Sequence, residues 1–291
     1  MHLVIGANGR VGRHVTEQLI SAGEKPRILV RDAKKAINRF GDQVTILVGD
    51  LDNRTSIDLA MRNVQSVFLC TPVNPGQVKQ HKLVADSVAE SNAYLVKVSG
   101  LATFPGSFVD SGRWHAETEA YIRSKEIASA FLHPFFFMQN MDLQIADIRS
   151  NGILRSPVTK AAIAMVDIID IAAVATNLML SPNDVIGKTL PLTTNQALTY
   201  EEMAEEMTTV FGRSVSFQEQ VDDEVTMTLR NSGMPEWHAR IILQFNRAFN
   251  EGYGSEVHSS VEDILNRPPK SFRDYLKTAS ASLRDNRLFP N

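Results

Sequence analysis

The stretch HLVIGANGRVG, residues 2–12, reads as a short apolar strand that runs into a turn carrying Gly6, Gly9 and Gly12. A helical pattern, RVGRHVTEQLISAG, begins inside the turn. Each glycine has its own reason to be there. Gly6 permits the tight turn, Gly9 lets a pyrophosphate approach the backbone, and Gly12 lets helix and strand pack closely. The helix N-terminus then offers unpaired N–H groups and a positive dipole end to phosphates. Asn8, Arg10 and Val11 share the loop and join the glycines as candidate cofactor contacts. A glycine trio is a weak signal alone, so its weight depends on the rest of the chain.

Downstream of the loop the chain alternates regularly. The apolar runs PRILV, VTILVG, SVFLC, AYLVKVS and ASAFLHP are separated by helical stretches through the first half of the chain. Strands without a polar face, joined by helices, predict a parallel sheet built from βαβ units. Right-handed crossovers make it an α/β, Rossmann-like, doubly wound sheet. The second half changes character. LTYEEMAEEMTTVFG carries a capping box, Thr199 with Glu202, and Gly212 as its stop. VSFQEQ reads as a short strand, EWHARIILQFNRAFN as a helix after Pro235, and RPPKSFRDYLKTAS as another after a proline pair. The expected division is a dinucleotide-binding domain over 1–150 and a smaller, mostly helical C-terminal substrate lobe over 151–291, with segments returning to the sheet.

Composition narrows the classes of function. With 291 residues, 43% apolar and 22% charged, the chain can bury a sizeable core. A net charge of −3 draws it to neither nucleic acid nor anionic lipid. No apolar run approaches the ~18 residues of a membrane span. The opening strand predicts a fold with no leader ahead of it, and a cytoplasmic protein. Cys70, the single cysteine, closes an apolar run and reads as a structural thiol in a reducing compartment. The absence of His-Glu-x-x-His and Cys-x-x-Cys patterns argues against a metal centre, and G-x-S-x-G is missing too.

The end of the second strand bears on the cofactor. ILVRDAKK places Arg31 before Asp32, with Lys34 and Lys35 close behind. An acid at this point holds the ribose hydroxyls of NAD, whereas an arginine receives the 2′-phosphate of NADP. The order here favours NADP(H) over NAD(H). Asp50, closing the third strand in VGDLDN, stands where an acid can accept from the adenine amine. The basic residues from Lys25 to Arg39 lack interleaved aromatics and read as a cofactor rim, not a nucleic-acid face.

Together with the glycine loop, the segments VGDLDN, LCTPVNP, VKVSG, HAETEAYIRSKEIASAFLHPFFFMQN, AMVDIIDIAAVA and LTYEEMAEEMTTVFGRSVSF resemble the NmrA-like family, the atypical branch of the short-chain dehydrogenases. The resemblance covers nearly the whole chain. It implies NAD(P) binding, and it adds Leu51, Thr71 and Pro72 to the cofactor contacts. The family includes reductases of quinones and dyes, and also cofactor-binding regulators. Two readings therefore stand. One is an NAD(P)H-dependent reductase passing hydride to a small, flat, electron-poor acceptor such as a quinone. The other is a non-catalytic NADP(H) sensor acting through a protein partner.

Tyr121 and Lys125 have the Tyr-x-x-x-Lys spacing of short-chain dehydrogenases, yet their place in the fold makes them a decoy. Crossover helices have their N-termini on the cofactor side of a parallel sheet. Tyr121 lies roughly 9 Å further along the axis than His115, at about 1.5 Å rise per residue. Counting back from Glu119, which matches the family's glutamate, puts the dehydrogenase lysine position at His115 and its tyrosine position at Ser111. His115 is thus a candidate both for cofactor binding and for proton donation with a pKa suited to neutral pH. The alternative is a helix-face histidine paired with Glu119 four residues on. Ser99 falls at the superfamily's catalytic serine, or is a satisfied strand-end hydroxyl. Phe135, Phe137 and Asn140 in FFFMQN read as a substrate pocket with a polar anchor, or as buried core. His133 departs from the family pattern and receives no role.

Overall fold

The computed structural model describes residues 1–182 and 185–284. Strand β1 (His2–Ile5) is buried along its whole length, so it can only be an interior strand with helices on both faces. Around it the chain lays down α1 (Arg10–Ser21), β2 (Arg27–Val30), α2 (Ala33–Phe40), β3 (Thr45–Val48) and α3 (Arg54–Met61). It continues with β4 (Ser66–Leu69), α4 (Gln77–Ser91), β5 (Tyr94–Val98), α5 (Asp110–Ser124) and β6 (Ser129–Pro134). The remaining segments are β7 (Phe136–Phe137), a 3₁₀ turn (Met138–Met141), α6 (Asp142–Asn151), β8 (Ile153–Ser156), β9 (Ile163–Val166), α7 (Ile168–Leu180) and β10 (Thr189–Leu192). They end with β11 (Ala197–Leu198), α8 (Tyr200–Phe211), β12 (Ser216–Glu219), α9 (Asp222–Asn231), α10 (Glu236–Asn250), α11 (Ser260–Leu265) and α12 (Phe272–Arg284).

The main sheet has seven strands in the order β10-β6-β5-β4-β1-β2-β3, and every pairing in it is parallel. The fold is the α/β, Rossmann-like one expected. Winding reverses between β1 and β4, so their carboxyl ends frame the crevice where ligands bind in such sheets. Gly6 occupies that point with φ 98°, and a Cβ there would stand 1.9 Å from the carbonyl oxygen of Cys70. A Cβ on Gly12 would stand 2.2 Å from the carbonyl oxygen of Gly6. Backbone therefore packs on backbone at the start of α1. Pro191 lies in β10, an edge strand, where a missing N–H is tolerated.

The chain forms two compact units. One comprises Met1–Pro134, Ile168–Leu192 and Asp263–Asn266. The other takes Phe135–Asp167, Thr193–Glu262 and the chain from Arg267. The chain leaves the first unit at Pro134, not at residue 150, because Phe136 and Phe137 pair with Met165 and Val166 of β9 instead of the main sheet. It returns because β10 pairs with β6, while Gln18 of α1 donates to the Ile169 carbonyl in α7 at 3.4 Å. Within the second unit, β11-β9-β7 and β12-β8 form two small sheets among the helices. The Thr199–Glu202 capping box opens α8, and Gly212 closes it in the left-handed region.

The Gly6–Gly12 packing leads to a direct test. Gly12→Ala forces α1 away from the end of β1 and is expected to cost about 2–3 kcal/mol, the scale of overpacking in a close-packed interior. Urea unfolding of the two proteins measures it as a fall in midpoint at unchanged slope.

Candidate active site

The loop from Gly6 to Gly12 forms a bare cradle. Gly9 donates its N–H to the Gly6 carbonyl at 2.8 Å and is the N-cap of α1, which has no side-chain capping hydrogen bond. The first turn's N–H groups have no partner inside their own helix. Neither Gly6 nor Gly12 could carry a Cβ, so no other residue would leave the same backbone exposed. Asn8 donates to the backbone carbonyl of Asp32 at 3.2 Å, tying the loop to the end of β2, while its buried Oδ1 has no protein partner. These features suit an anionic dinucleotide. Val11 is buried beneath the loop, and Arg10 and Arg31 are exposed. The Asp32 carboxylate accepts from the Lys35 N–H at 3.3 Å and caps α2. Asp50 accepts from the Asp52 N–H at 2.9 Å, and Leu51 packs against the core beside it. Thr71 follows β4 and hydrogen-bonds Nε2 of His81 at 2.8 Å, and the Pro72 carbonyl accepts from Asn74 at 3.1 Å.

Beside the cradle lies a buried polar network that the residue pattern only partly anticipates. Lys97, the penultimate residue of β5, is fully buried at 0% exposure. Its ammonium donates to Ser99 Oγ at 2.7 Å and lies 3.1 Å from His115 Nδ1. Ser99 passes its own hydrogen to Glu119 Oε1 at 2.5 Å. The same oxygen accepts from His133 Nε2 at 2.8 Å. Gln77, at the start of α4, places its amide nitrogen 3.0 Å from His115 Nδ1. Sequence reasoning misses Lys97, Gln77 and His133 as partners of the site. The one available signal is a lysine inside the apolar run YLVKVSG, on a strand with no polar face.

Burial governs the charges in this network. It pushes Lys97 down to about 8, although the Glu119 carboxylate and Cys70 pull the other way. Burial, then Lys97, then His81 and His133 hold the His115 imidazole well below its usual range. His115 is therefore neutral at pH 7, which corrects the neutral-range pKa expected of it. Nor does it pair with Glu119. That carboxylate faces Ser99 and His133 instead, and those contacts with Lys97 outweigh burial and keep it below the usual range. Burial likewise lowers His81 well below the ordinary value and raises the Cys70 thiol to about 11. Ser99 has both a donor and an acceptor, as a satisfied strand-end hydroxyl would.

Tyr121 and Lys125 stand apart from this cluster. The Tyr121 hydroxyl donates to Asp86 of α4 at 2.7 Å, and the Lys125 ammonium lies 3.1 Å from the same carboxylate. The pair is an α4–α5 clasp. In the second unit, Phe135 meets the His258 ring edge-on at 5.6 Å between centroids. Phe137 pairs with Val166, and Asn140 lies half-buried in the 3₁₀ turn.

The chain matches the NmrA-like family model over residues 2–276. It is 29% identical over 283 residues to an NAD(P)H azoreductase of Xenophilus azovorans, covering 97% of this chain and 99% of that protein. It is 31% identical over 276 residues to the (4-alkanoyl-5-oxo-2,5-dihydrofuran-3-yl)methyl phosphate reductase of Streptomyces griseus, covering 94% and 96%. An NADPH-dependent quinone oxidoreductase of Escherichia coli, solved with NADPH, superposes with a TM-score of 0.86 at 20% identity, over 96% of this chain and 100% of that one. That last likeness shows the fold.

Lys97 makes stability depend on pH in a defined direction. Its folded value of about 8 lies below the ordinary 10.5, so between these pH values the unfolded chain holds more protons than the folded one. Its contribution to stability therefore rises with pH across that window and is least below pH 8. Urea unfolding should show the wild type gaining on Lys97→Met by up to about 3 kcal/mol from pH 8 to 10.5, at ~1.4 kcal/mol per unit.

Proposed function

Because the chain belongs to the NmrA-like family, we propose that it is an NAD(P)H-dependent reductase that passes hydride to a small, flat, electron-poor acceptor such as a quinone or an azo compound. The observation that carries this reading is the bare backbone cradle at Gly6, Gly9 and Gly12, open at the N-terminus of α1 at the switch point of the sheet. The azoreductase and the dihydrofuranyl methyl phosphate reductase that the chain resembles in sequence are reductases, which favours catalysis over a purely sensory role.

In this reading Gly6, Asn8, Gly9, Arg10, Val11 and Gly12 hold the pyrophosphate. Arg31, exposed at the end of β2, meets the 2′-phosphate. Preference for NADPH follows from the carboxylate next to it, since Asp32 is engaged in capping α2 and Lys34 and Lys35 add positive charge. Asp50 and Leu51 flank the adenine, and Thr71 and Pro72 continue the crevice beyond β4. A bound nicotinamide supplies the hydride. What the chain adds is position, dryness and hydrogen bonds. His115 is neutral and Ser99 donates to Glu119, so neither is a strong acid. Such a site suits acceptors whose hydride adduct is already a stabilised anion, as the monoanion of a hydroquinone is. Phe135, Phe137 and Asn140 are the residues proposed to meet the acceptor.

The test follows nicotinamide absorbance while the purified protein meets NADPH or NADH with quinones and azo dyes. Saturable oxidation is expected, with a lower KM for NADPH. Arg31→Ala should raise the KM for NADPH about tenfold while leaving that for NADH in place, the loss of one charge-assisted contact worth ~1.4 kcal/mol. His115→Ala should lower kcat. Tyr121→Phe should leave turnover intact. Tight NADPH binding with no turnover on any acceptor would overturn the reductase and leave the sensor.

A further inference from the structure

Lys97 is a costly residue to place inside a sheet, and its contacts say what it does there. An ammonium has three donors and no acceptor, so whatever it faces must accept. It faces Ser99 Oγ at 2.7 Å and His115 Nδ1 at 3.1 Å. The Gln77 amide nitrogen approaches the same Nδ1 at 3.0 Å and Nε2 at 3.5 Å. Two donors thus converge on one ring nitrogen. A neutral imidazole carries a single N–H, and which nitrogen bears it is set by the partner of the other.

We propose that Lys97 is a positioning residue that makes Nδ1 of His115 an acceptor and so fixes the ring proton on Nε2. Gln77 follows and does not lead. An amide can turn either its nitrogen or its oxygen toward the ring, whereas an ammonium can only donate. The Gln77 oxygen is buried without a protein partner, so turning the amide would exchange the nitrogen's contact with the ring for one from the oxygen and break no bond of the oxygen. Lys97 is itself fixed. Ser99 relays its contact to Glu119, and His133 meets that same carboxylate oxygen from β6. The titratable and charged groups that act on this pair are Glu119 from α5, His81 from α4, His133 from β6 and Cys70 at the end of β4. The lowered affinity of Lys97 for its proton supplies a second consequence. Above pH 8 the amine gains a lone pair, can accept from Nδ1–H, and releases the choice of tautomer.

The functional meaning rests on the reductase reading: a pinned Nε2–H is a neutral hydrogen-bond donor for the acceptor or the cofactor. The tautomer itself is a property of the protein alone and is read without turnover. The experiment is nitrogen-15 NMR of the full chain labelled at its seven histidines, with His115 assigned from the signal lost in His115→Gln. At pH 7 the wild type should show Nδ1 unprotonated and Nε2 protonated at His115. Gln77→Leu should keep that pattern. Lys97→Met should lose it, with an Nδ1–H population rising to a comparable share. If Lys97→Met does not fold, raising the pH of the wild type through 8 toward 10 gives the same reading, with Nδ1–H expected to grow. A wild type with the proton on Nδ1, or with a doubly protonated ring at pH 7, would overturn the proposal. So would a tautomer unmoved by both Lys97→Met and high pH, or one lost in Gln77→Leu. Failure of turnover with the Nε2–H tautomer intact would sink the reductase and leave Lys97 in its role.

Discussion

Two contacts between backbones organise the first unit. A methyl group on Gly6 would lie 1.9 Å from the Cys70 carbonyl, and one on Gly12 would lie 2.2 Å from the Gly6 carbonyl. The end of β1, the end of β4 and the first turn of α1 therefore meet with no side chain between them. Residues flanking the contact inherit their positions from it. Asn8 can reach the Asp32 carbonyl at the end of β2 only because the loop turns tightly over β1. Thr71 lies just past the carbonyl that Gly6 faces, which sets where the crevice continues beyond β4. The same closeness exposes peptide N–H groups at the open end of α1, where a phosphate gains both hydrogen bonds and the helix dipole.

A second constraint lies one strand away, and it is electrostatic. Burying an ammonium costs several kcal/mol even after relaxation, and a well-packed apolar residue in its place is often as stable or more so. Stability does not account for Lys97. The network limits the cost by satisfying the charge with two acceptors and by opposing it with Glu119. Glu119 in turn stays ionised because Ser99 and His133 both give it hydrogens. One ammonium, one carboxylate, the neutral His115 ring and the Gln77 amide thus share a small dry volume. The arrangement spends its polar contacts on orienting His115, which is a use for a charge that folding alone does not require.

Much of this is legible in the residues. Strands without a polar face and glycines at spaced positions predict the sheet, its winding and its phosphate loop, because those features follow from local pattern. Thr199 and Glu202 announce the start of α8 by chemistry that needs no distant partner. The two small sheets are harder. β7 and β11 have two residues each and pair with β9, so no local periodicity reveals them. Lys97 is hardest for the same physical reason that makes the fold easy. A strand buried on both faces has no polar stripe, and nothing in YLVKVSG says which way the ammonium points or that α5 brings His115 to meet it.

Helix α5 shows why spacing without placement misleads. At about 100° per residue, His115 and Glu119 lie nearly one above the other, whereas Tyr121 is roughly 240° around from His115. One face carries His115 and Glu119 to Lys97, Ser99 and His133. Another carries Tyr121, and beyond the helix end Lys125, to Asp86 on α4. The familiar Tyr-x-x-x-Lys spacing belongs to the second direction, and there it serves packing between helices. A lysine does stand beside the candidate histidine, but it comes from the neighbouring strand and points at Nδ1. The sheet thus supplies from β5 a cation that α5 itself does not bring to the ring.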